Sequence, residues 1–406
     1  MLRLIHTADI HLGAPLNLWD SSIVSQFREA RELAFADVVE RAVGLRADAF
    51  LIAGDLFDDS APSRKTEQFF VNQMEILNGA RIPVYYCTGN HDFEIMKNRH
   101  YQWPGNVHIF YKPEPESVLL EVGGIRLRIV SCGHHSAQDP VNRVSKFPHR
   151  FGPEPHIGLV HCMVTNASEI DNNCVYLPCH SEDLRALKYD YWALGHIHKR
   201  QQIPGINGFY PGNPQAFKLK ETGSKGFLFI EVSEVGCHGT YTPVDRLIVS
   251  PMRIDISTCA EWEHLPALVS SAVTENLRQG ESLVCTIALN GKSLFRNLLQ
   301  SPSGKEELRN EIIRATGYES FVLDCREIQP WVNSQDFIEQ TPWLQELERL
   351  MNLNQEDSER DALLHGLELA GFREGARDEY LNQLLTGLMD DMAEQYGEIG
   401  HEHSKT

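Results

Sequence analysis

The chain has 406 residues, 42% of them hydrophobic, and a net charge of −19, which allows two or three domains and a full core. That balance excludes binding nucleic acid by bulk charge, and no apolar run approaches the roughly 20 residues of a membrane span. The N-terminus enters a strand-like segment at once, so no signal peptide is expected, and nine cysteines without CxxC spacing read as the reduced thiols of a cytoplasmic protein. Cys174 and Cys179 with His180 lack the paired spacing of a zinc site and read as ordinary core or loop residues.

Strand and helix signals alternate over residues 1–235. Leu2–His6 is a short buried strand, Phe27–Leu45 an amphipathic helix and Ala49–Ala53 a strand. Lys65–Leu77 is a second helix, and Val84–Cys87 a third strand. Further strands are expected at Ile125–Ser131, Ile157–His161, Tyr191–Leu194 and Gly226–Val232. Residues 247–330 read as a smaller α+β domain, with strands at Leu247–Ile256, Ser282–Leu289 and Ser320–Ile328. Helices at Pro266–Leu277 and Lys305–Thr316 lie between them. From Thr341-Pro342 onward the pattern is helical. Its last helix sets Leu381, Leu384, Leu385, Leu388, Met389, Met392 and Tyr396 on one face, for packing on its own chain or for docking another. The acidity is uneven: residues 1–240 hold 23 basic and 27 acidic side chains, and the remainder 14 and 29.

Each apolar strand of the first half runs into a polar cluster. Asp9 and His11 lie in HTADIHLG, Asp55 in IAGDLFD, Asn90 and His91 in TGNHD, His161 in GLVHC, and His196 and His198 in ALGHIHKR. This places the clusters on loops at strand C-terminal ends, where open α/β sheets put their sites. Gly54, Gly89 and Gly195 let the backbone turn beside them. Carboxylates, imidazoles and an Asn carbonyl make a mixed O/N ligand set suited to Mn, Fe or Zn. Two dications about 3.5–4 Å apart need a shared anion, and Asp55 in the central cluster is the natural one. Asp9, His11 and one distal His would complete one ion; Asn90, His161 and the other distal His would complete the second. His91 can face the phosphate as a proton donor, with Asp92 either fixing its tautomer or turning the loop. A lone GD or DxH carries no weight; all five clusters in order do. His6, His100, His108, His134, His135, His149 and His156 are given no role.

This ordered set resembles the calcineurin-like metallophosphoesterase signature. Together with YPGNPQ and KGFLFIEV it resembles, more narrowly, the SbcD/YhaO-like DNA double-strand-break repair nucleases, over about residues 1–235. The resemblance implies a four-layer sandwich of two sheets flanked by helices at 1–240, a small α+β capping domain at 247–330 and a helical partner-binding region at 340–398. It implies a DNA exonuclease and endonuclease using two Mn2+ per protomer, with Mg2+, Fe2+ or Zn2+ as other candidates. It also implies a homodimeric core working with an SbcC/YhaN-type SMC-like ATPase in repair or defence. The family's ligand split carries over as Asp9, His11, Asp55 and His198 on one ion, and Asp55, Asn90, His161 and His196 on the other, with His91 in the catalytic histidine's place. Where archaeal and eukaryotic relatives often carry His after GDLF, this chain has Asp58.

Candidate phosphate contacts are Arg64, Lys65, Lys97, Arg99, Lys199, Arg200, Lys218 and Lys220, which flank the metal loops or the PGNPQ turn. Trp19 is a candidate for base stacking or for local packing. The alternatives are a metallophosphatase acting on small phosphoesters, and a catalytically silent scaffold for an ATPase. YPGNPQ and the additional domains argue against the first, and the complete ligand set against the second.

Overall fold

The computed structural model describes residues 1–16, 21–165, 175–233, 236–277 and 283–331. The 340–398 region with its apolar stripe, Trp19 and Cys174 lie outside the described residues. Met1–Ser250 with Glu281–Val284 form one compact unit, and a second begins at Pro251.

The first unit carries strands β1 (Leu2–Thr7), β2 (Ala49–Ala53), β3 (Val84–Cys87), β4 (Val107–Phe110), β5 (Glu116–Val122), β6 (Ile125–Ser131) and β7 (His156–His161). These are followed by β8 (Met163–Thr165), β9 (Pro178–His180), β10 (Tyr191–Gly195), β11 (Gln201–Gln202), β12 (Gly208–Tyr210), β13 (Gly226–Ser233) and β14 (Gly236–Pro243). Its helices are α1 (Ser21–Gly44), α2 (Arg64–Gly79), α3 (Ile95–Asn98) and α4 (Ser181–Leu187). Two six-stranded sheets result, ordered β14-β13-β1-β2-β3-β4 and β11-β12-β10-β7-β6-β5. Strands β1 to β4 are mutually parallel, as are β6, β7, β10 and β12.

These central strands are apolar on both faces, as parallel strands covered on both sides must be. The period of two divides them between cores. Leu2, Leu4, Leu51, Ala53 and Cys87 meet Ile129, Ile157, Leu159 and Ala193 between the sheets. Ile5, Phe50, Ile52 and Val84 face Ala34, Phe35, Val38, Phe70 and Met74 of α1 and α2. Val160, Trp192 and Leu194 pack under Leu184 and Leu187 of α4. The unit is therefore the expected four-layer sandwich. Helix α2 starts at Ser63, whose hydroxyl accepts from Thr66 N at 3.1 Å. Its buried Glu67 accepts from His100 N, Tyr101 N and Trp103 Nε1, tying the segment after β3 to the helix.

The second unit is built on β15 (Ile248–Asp255), β16 (Leu283–Ser293) and β17 (Phe321–Pro330), with α5 (His264–Leu277), α6 (Arg296–Gln300) and α7 (Pro302–Thr316). The sheet order is β15-β16-β17, and β16 pairs with β17 in parallel, with a bulge between Ala288 and Asn290. Helix α7 is capped by Ser301, with Pro302 in its first turn. Leu265, Val269 and Val273 of α5 and Leu308 and Ile312 of α7 are buried. No helix among the described residues is long and apolar enough to cross a membrane, and the eight described cysteines are free thiols.

One core histidine makes stability depend on pH. The His6 ring is fully buried, with Nδ1 3.0 Å from the Tyr191 hydroxyl and Nε2 3.2 Å from Leu194 O. Burial pushes its pKa down to about 3, whereas the unfolded imidazole takes a proton below about 6.5. The stability His6 contributes is thus complete above pH 6.5 and is lost as the pH falls toward 3. By pH 5 the loss reaches about 2 kcal/mol. Denaturant melts of chelator-treated protein at about pH 7 and 5 measure it, and His6→Gln should flatten the difference. Equal pH slopes in the two proteins would exclude His6 as the source.

Candidate metal centre

The parallel strands bring their C-terminal ends to one edge of the sandwich. Asp9 and His11 follow β1, Asp55 follows β2, Asn90 and His91 follow β3, His161 ends β7, and His196 and His198 follow β10. The loops after β1 and β2 are zipped together: Asp9 N donates to Gly54 O at 3.1 Å, His11 N to Asp55 O at 3.0 Å and Leu12 N to Leu56 O at 2.8 Å. This zipper holds Asp9, His11 and Asp55 at φ 53°, 48° and 48°, and His196 lies at 107°. Left-handed backbone costs a non-glycine residue about 1–3 kcal/mol, and such strain clusters at working sites. Gly89 is required by proximity, since a Cβ there would lie 2.1 Å from Asp55 Oδ1.

The side chains converge. His11 Nε2 and His198 Nε2 are 3.2 Å apart, and Asp9, His11 and His198 form a cluster that could hold a metal ion. Asp55 Oδ2 lies 3.2 Å from His161 Nε2 and 3.7 Å from His11 Nε2, between the two groups. Asn90 Oδ1 lies 3.1 Å from His161 Nε2 and 3.2 Å from His196 Nδ1. His196 N donates to Asp9 Oδ1 at 2.9 Å, pinning the β10 loop to the β1 loop.

The outward nitrogens explain why these atoms face inward. His11 Nδ1 lies 2.9 Å from Asp58 Oδ1, His198 Nδ1 2.7 Å from Glu221 Oε1 and His161 Nδ1 2.9 Å from Ala53 O. Each acceptor fixes a proton on Nδ1 and leaves the Nε2 lone pair for the centre. The Nε2 atoms of His11 and His198 then meet at 3.2 Å with Asp9 beside them, a spacing that a shared metal cation would fill. The residues present therefore fit a pair of dications. Electrostatics agree. Burial opposes charge on His161, but Asp55 and then Asp9 outweigh it and raise its pKa to about 9. Burial pushes Asp55 up, yet His161 and His11 hold its carboxyl well below the usual range. Glu221, despite burial, is drawn down to about 2 by His198.

Residues 2–200 match the calcineurin-like phosphoesterase family. That match spans most of the first unit and just under half of the chain. The chain is 29% identical over 311 residues, 75% of each protein, to the uncharacterized metallophosphoesterase YhaO of Bacillus subtilis (strain 168). A dimetal phosphatase from Danio rerio superposes with a TM-score of 0.34 at 14% identity, over 59% of this chain and 99% of its own.

A cleft of about 430 Å³ is lined by Asp55, Asn90, His91, Tyr176, His196, Ile197, His198 and Lys199. His91 is 41% exposed there, and its Nδ1 lies 2.9 Å from Asp58 O. Asp92 does not touch His91. It accepts from Leu56 N at 2.7 Å, Phe57 N at 3.2 Å and Gly89 N at 2.7 Å, and from the Tyr86 hydroxyl. This moves Asp92 from the expected catalytic set to a brace between the β2 and β3 loops.

Among the candidate phosphate contacts, only Lys199 lines the cleft. Lys65 lines a neighbouring 500 Å³ cavity with Asp58 and Asp59, and Arg64 lies beside it on the first turn of α2. Lys97 pairs with Glu94, and Arg99 is exposed just after α3. Arg200 stacks on Tyr241, and Lys218 sits over Phe217 with Lys220 exposed nearby. Glu221 and Tyr176 reach the site without belonging to any of the five motif clusters. Tyr176, its ring 4.9 Å from that of His196, carries no sequence signal beyond being aromatic.

Proposed function

We propose that the chain is a metal-dependent DNA nuclease subunit, hydrolysing phosphodiester bonds with exonuclease and endonuclease activity on two Mn2+ ions. Asp9, His11, Asp55 and His198 would hold one ion, and Asp55, Asn90, His161 and His196 the other. The observation that carries this reading is the convergence of all seven side chains at one sheet edge, with His91 exposed in the same open cleft. Bound ions would act as Lewis acids on the phosphoryl oxygens and lower the pKa of an attacking water toward neutrality. The protein's own part is orientation and proton transfer. Asp58, Glu221 and the Ala53 carbonyl fix three imidazoles, while Asp92 and the backbone zipper fix the loops. The Asp58 carbonyl accepts a hydrogen bond from His91 Nδ1–H and orients the ring so that, when doubly protonated, it could pass the Nε2 proton to the leaving oxygen.

DNA as substrate rests on the likeness of YPGNPQ and the ordered motifs to the repair nucleases, and on Lys199 in the cleft lining. With a net charge of −19 and one lysine in the cleft lining, a partner supplies grip on a polyanion. An SbcC/YhaN-type SMC-like ATPase fits that role, docking on the region after Gln340 of a homodimeric core. The test is a Mn2+-supplemented assay on linear, circular and single-stranded DNA beside a small phosphomonoester. DNA cleavage abolished by Asp9→Ala supports the reading. Monoester turnover with intact DNA would replace it with a phosphatase.

A further inference from the structure

The two proposed metal positions are not backed alike. Both histidines of the first carry a carboxylate on the outward nitrogen: Asp58 behind His11 at 2.9 Å, and Glu221 behind His198 at 2.7 Å. At the second, His161 is backed by the neutral carbonyl of Ala53, and the oxygen ligand besides the shared Asp55 would be the neutral amide of Asn90. Among the described residues no carboxylate accepts a hydrogen bond from the outward nitrogen of His161 or His196. An anionic acceptor makes the opposite ring nitrogen a stronger donor to a cation and adds negative charge to the position.

Glu221 is held for this purpose. Its second oxygen accepts from Asn213 Nδ2 at 2.8 Å and from Phe217 N at 2.9 Å, leaving Oε1 aimed at His198. Lys225 Nζ donates to His198 O at 3.2 Å, closing the same loop. Arg31 offsets part of the added charge. It is buried, its Nη1 bonded to His11 O and Ala14 O, and it feels both Asp58 and Glu221. Lys225 offsets more of it, since it also feels Glu221 and Asp9, but the first position keeps the Asp9 carboxylate where the second has the neutral amide of Asn90, so it remains the more negative.

We propose that the two ions bind unequally, the Asp9–His11–His198 position tightly and the Asn90–His161–His196 position exchangeably, and that Glu221 and Asp58 are the positioning residues that create the difference. This rests on the two-metal reading of the site and not on the choice of DNA as substrate.

Equilibrium dialysis of the chelator-stripped full chain against Mn2+, with bound ion counted by mass spectrometry, reads it directly. Two ions per chain are expected, with dissociation constants at least about tenfold apart. Glu221→Gln keeps an oxygen acceptor and removes the charge; it should weaken the tight ion by about 10–100-fold and leave the weak one unchanged. Asp58→Asn, acting through His11 instead, should do the same. Far-UV circular dichroism confirms that each metal-free variant is folded. Two ions with one shared affinity, or variants that weaken only the second ion, would overturn the inequality. Fewer than two ions on the unaltered chain would overturn the two-metal reading itself.

Discussion

Asp55→Asn is expected to lower phosphoester hydrolysis by ~10⁴-fold or more and to remove bound Mn2+ from both positions. The Asp55 carboxylate is 2% exposed, faces His161 and His11 with Oδ2, and accepts from His91 N with Oδ1 at 3.0 Å. An amide offers the same shape with a neutral oxygen, and two dications sharing a neutral oxygen repel without compensation. Losing about 5 kcal/mol of transition-state stabilisation corresponds to that rate. The stability readout separates chemistry from folding. Ligand at about 100 times its dissociation constant stabilises a native chain by about 2.7 kcal/mol, so Mn2+ should raise the melting temperature of the unaltered protein and leave Asp55→Asn unmoved. A variant that retains two ions and most of its rate would remove Asp55 from the bridging position.

The sandwich was legible where a strand offered only one reading. Ala49–Ala53 and Val84–Cys87 are short apolar runs ending at polar ligands, and the observed strands have those bounds. Edge and near-edge elements were less legible. β14 reads GCHGTYTP and contains little apolar surface; its ladder with β13 supplies what composition does not, and pairing of that kind is invisible to local periodicity. β4 is four residues long with His108 exposed, too short for a pattern. Helix α1 begins at Ser21, ahead of the expected Phe27, because Ile23 packs into the protein one turn before the apolar spacing becomes recognisable.

At the site, residues carrying a chemical signature stood out and their supports did not. Asp, His and Asn following strands are rare enough in order to be noticed. Asp58 and Glu221 back histidines 47 and 23 positions away, and among 56 acidic residues only the fold says which two bond the outward nitrogen of a candidate ligand histidine. Asp92 illustrates the converse. Adjacent to His91 in sequence, it turns inward because three backbone N–H groups and a tyrosine hydroxyl converge on it. A buried carboxylate settles where donors are most numerous, which here lies away from the cleft.

His91→Ala should show the opposite separation from Asp55→Asn: both Mn2+ ions retained, hydrolysis reduced by about 10²–10⁴-fold. The ring lies beside the metal cluster, its centroid 4.8 Å from that of His11, but its Nδ1 is committed to the Asp58 carbonyl and its face is open to the cleft. A side chain bonded to backbone on one nitrogen and exposed in the cleft is placed to move a proton. Its removal takes nothing from the buried core, so the fold and the ion count should survive. The rate loss should also depend on the leaving group. A substrate whose leaving oxygen departs without a proton, such as a nitrophenyl phosphodiester, needs little help from Nε2, and the variant should recover most of its deficit there. Equal losses on DNA and on the nitrophenyl ester, with metal content unchanged, would assign His91 to holding the phosphate and not to protonating the leaving oxygen. Loss of one ion in His91→Ala would place His91 among the ligands instead.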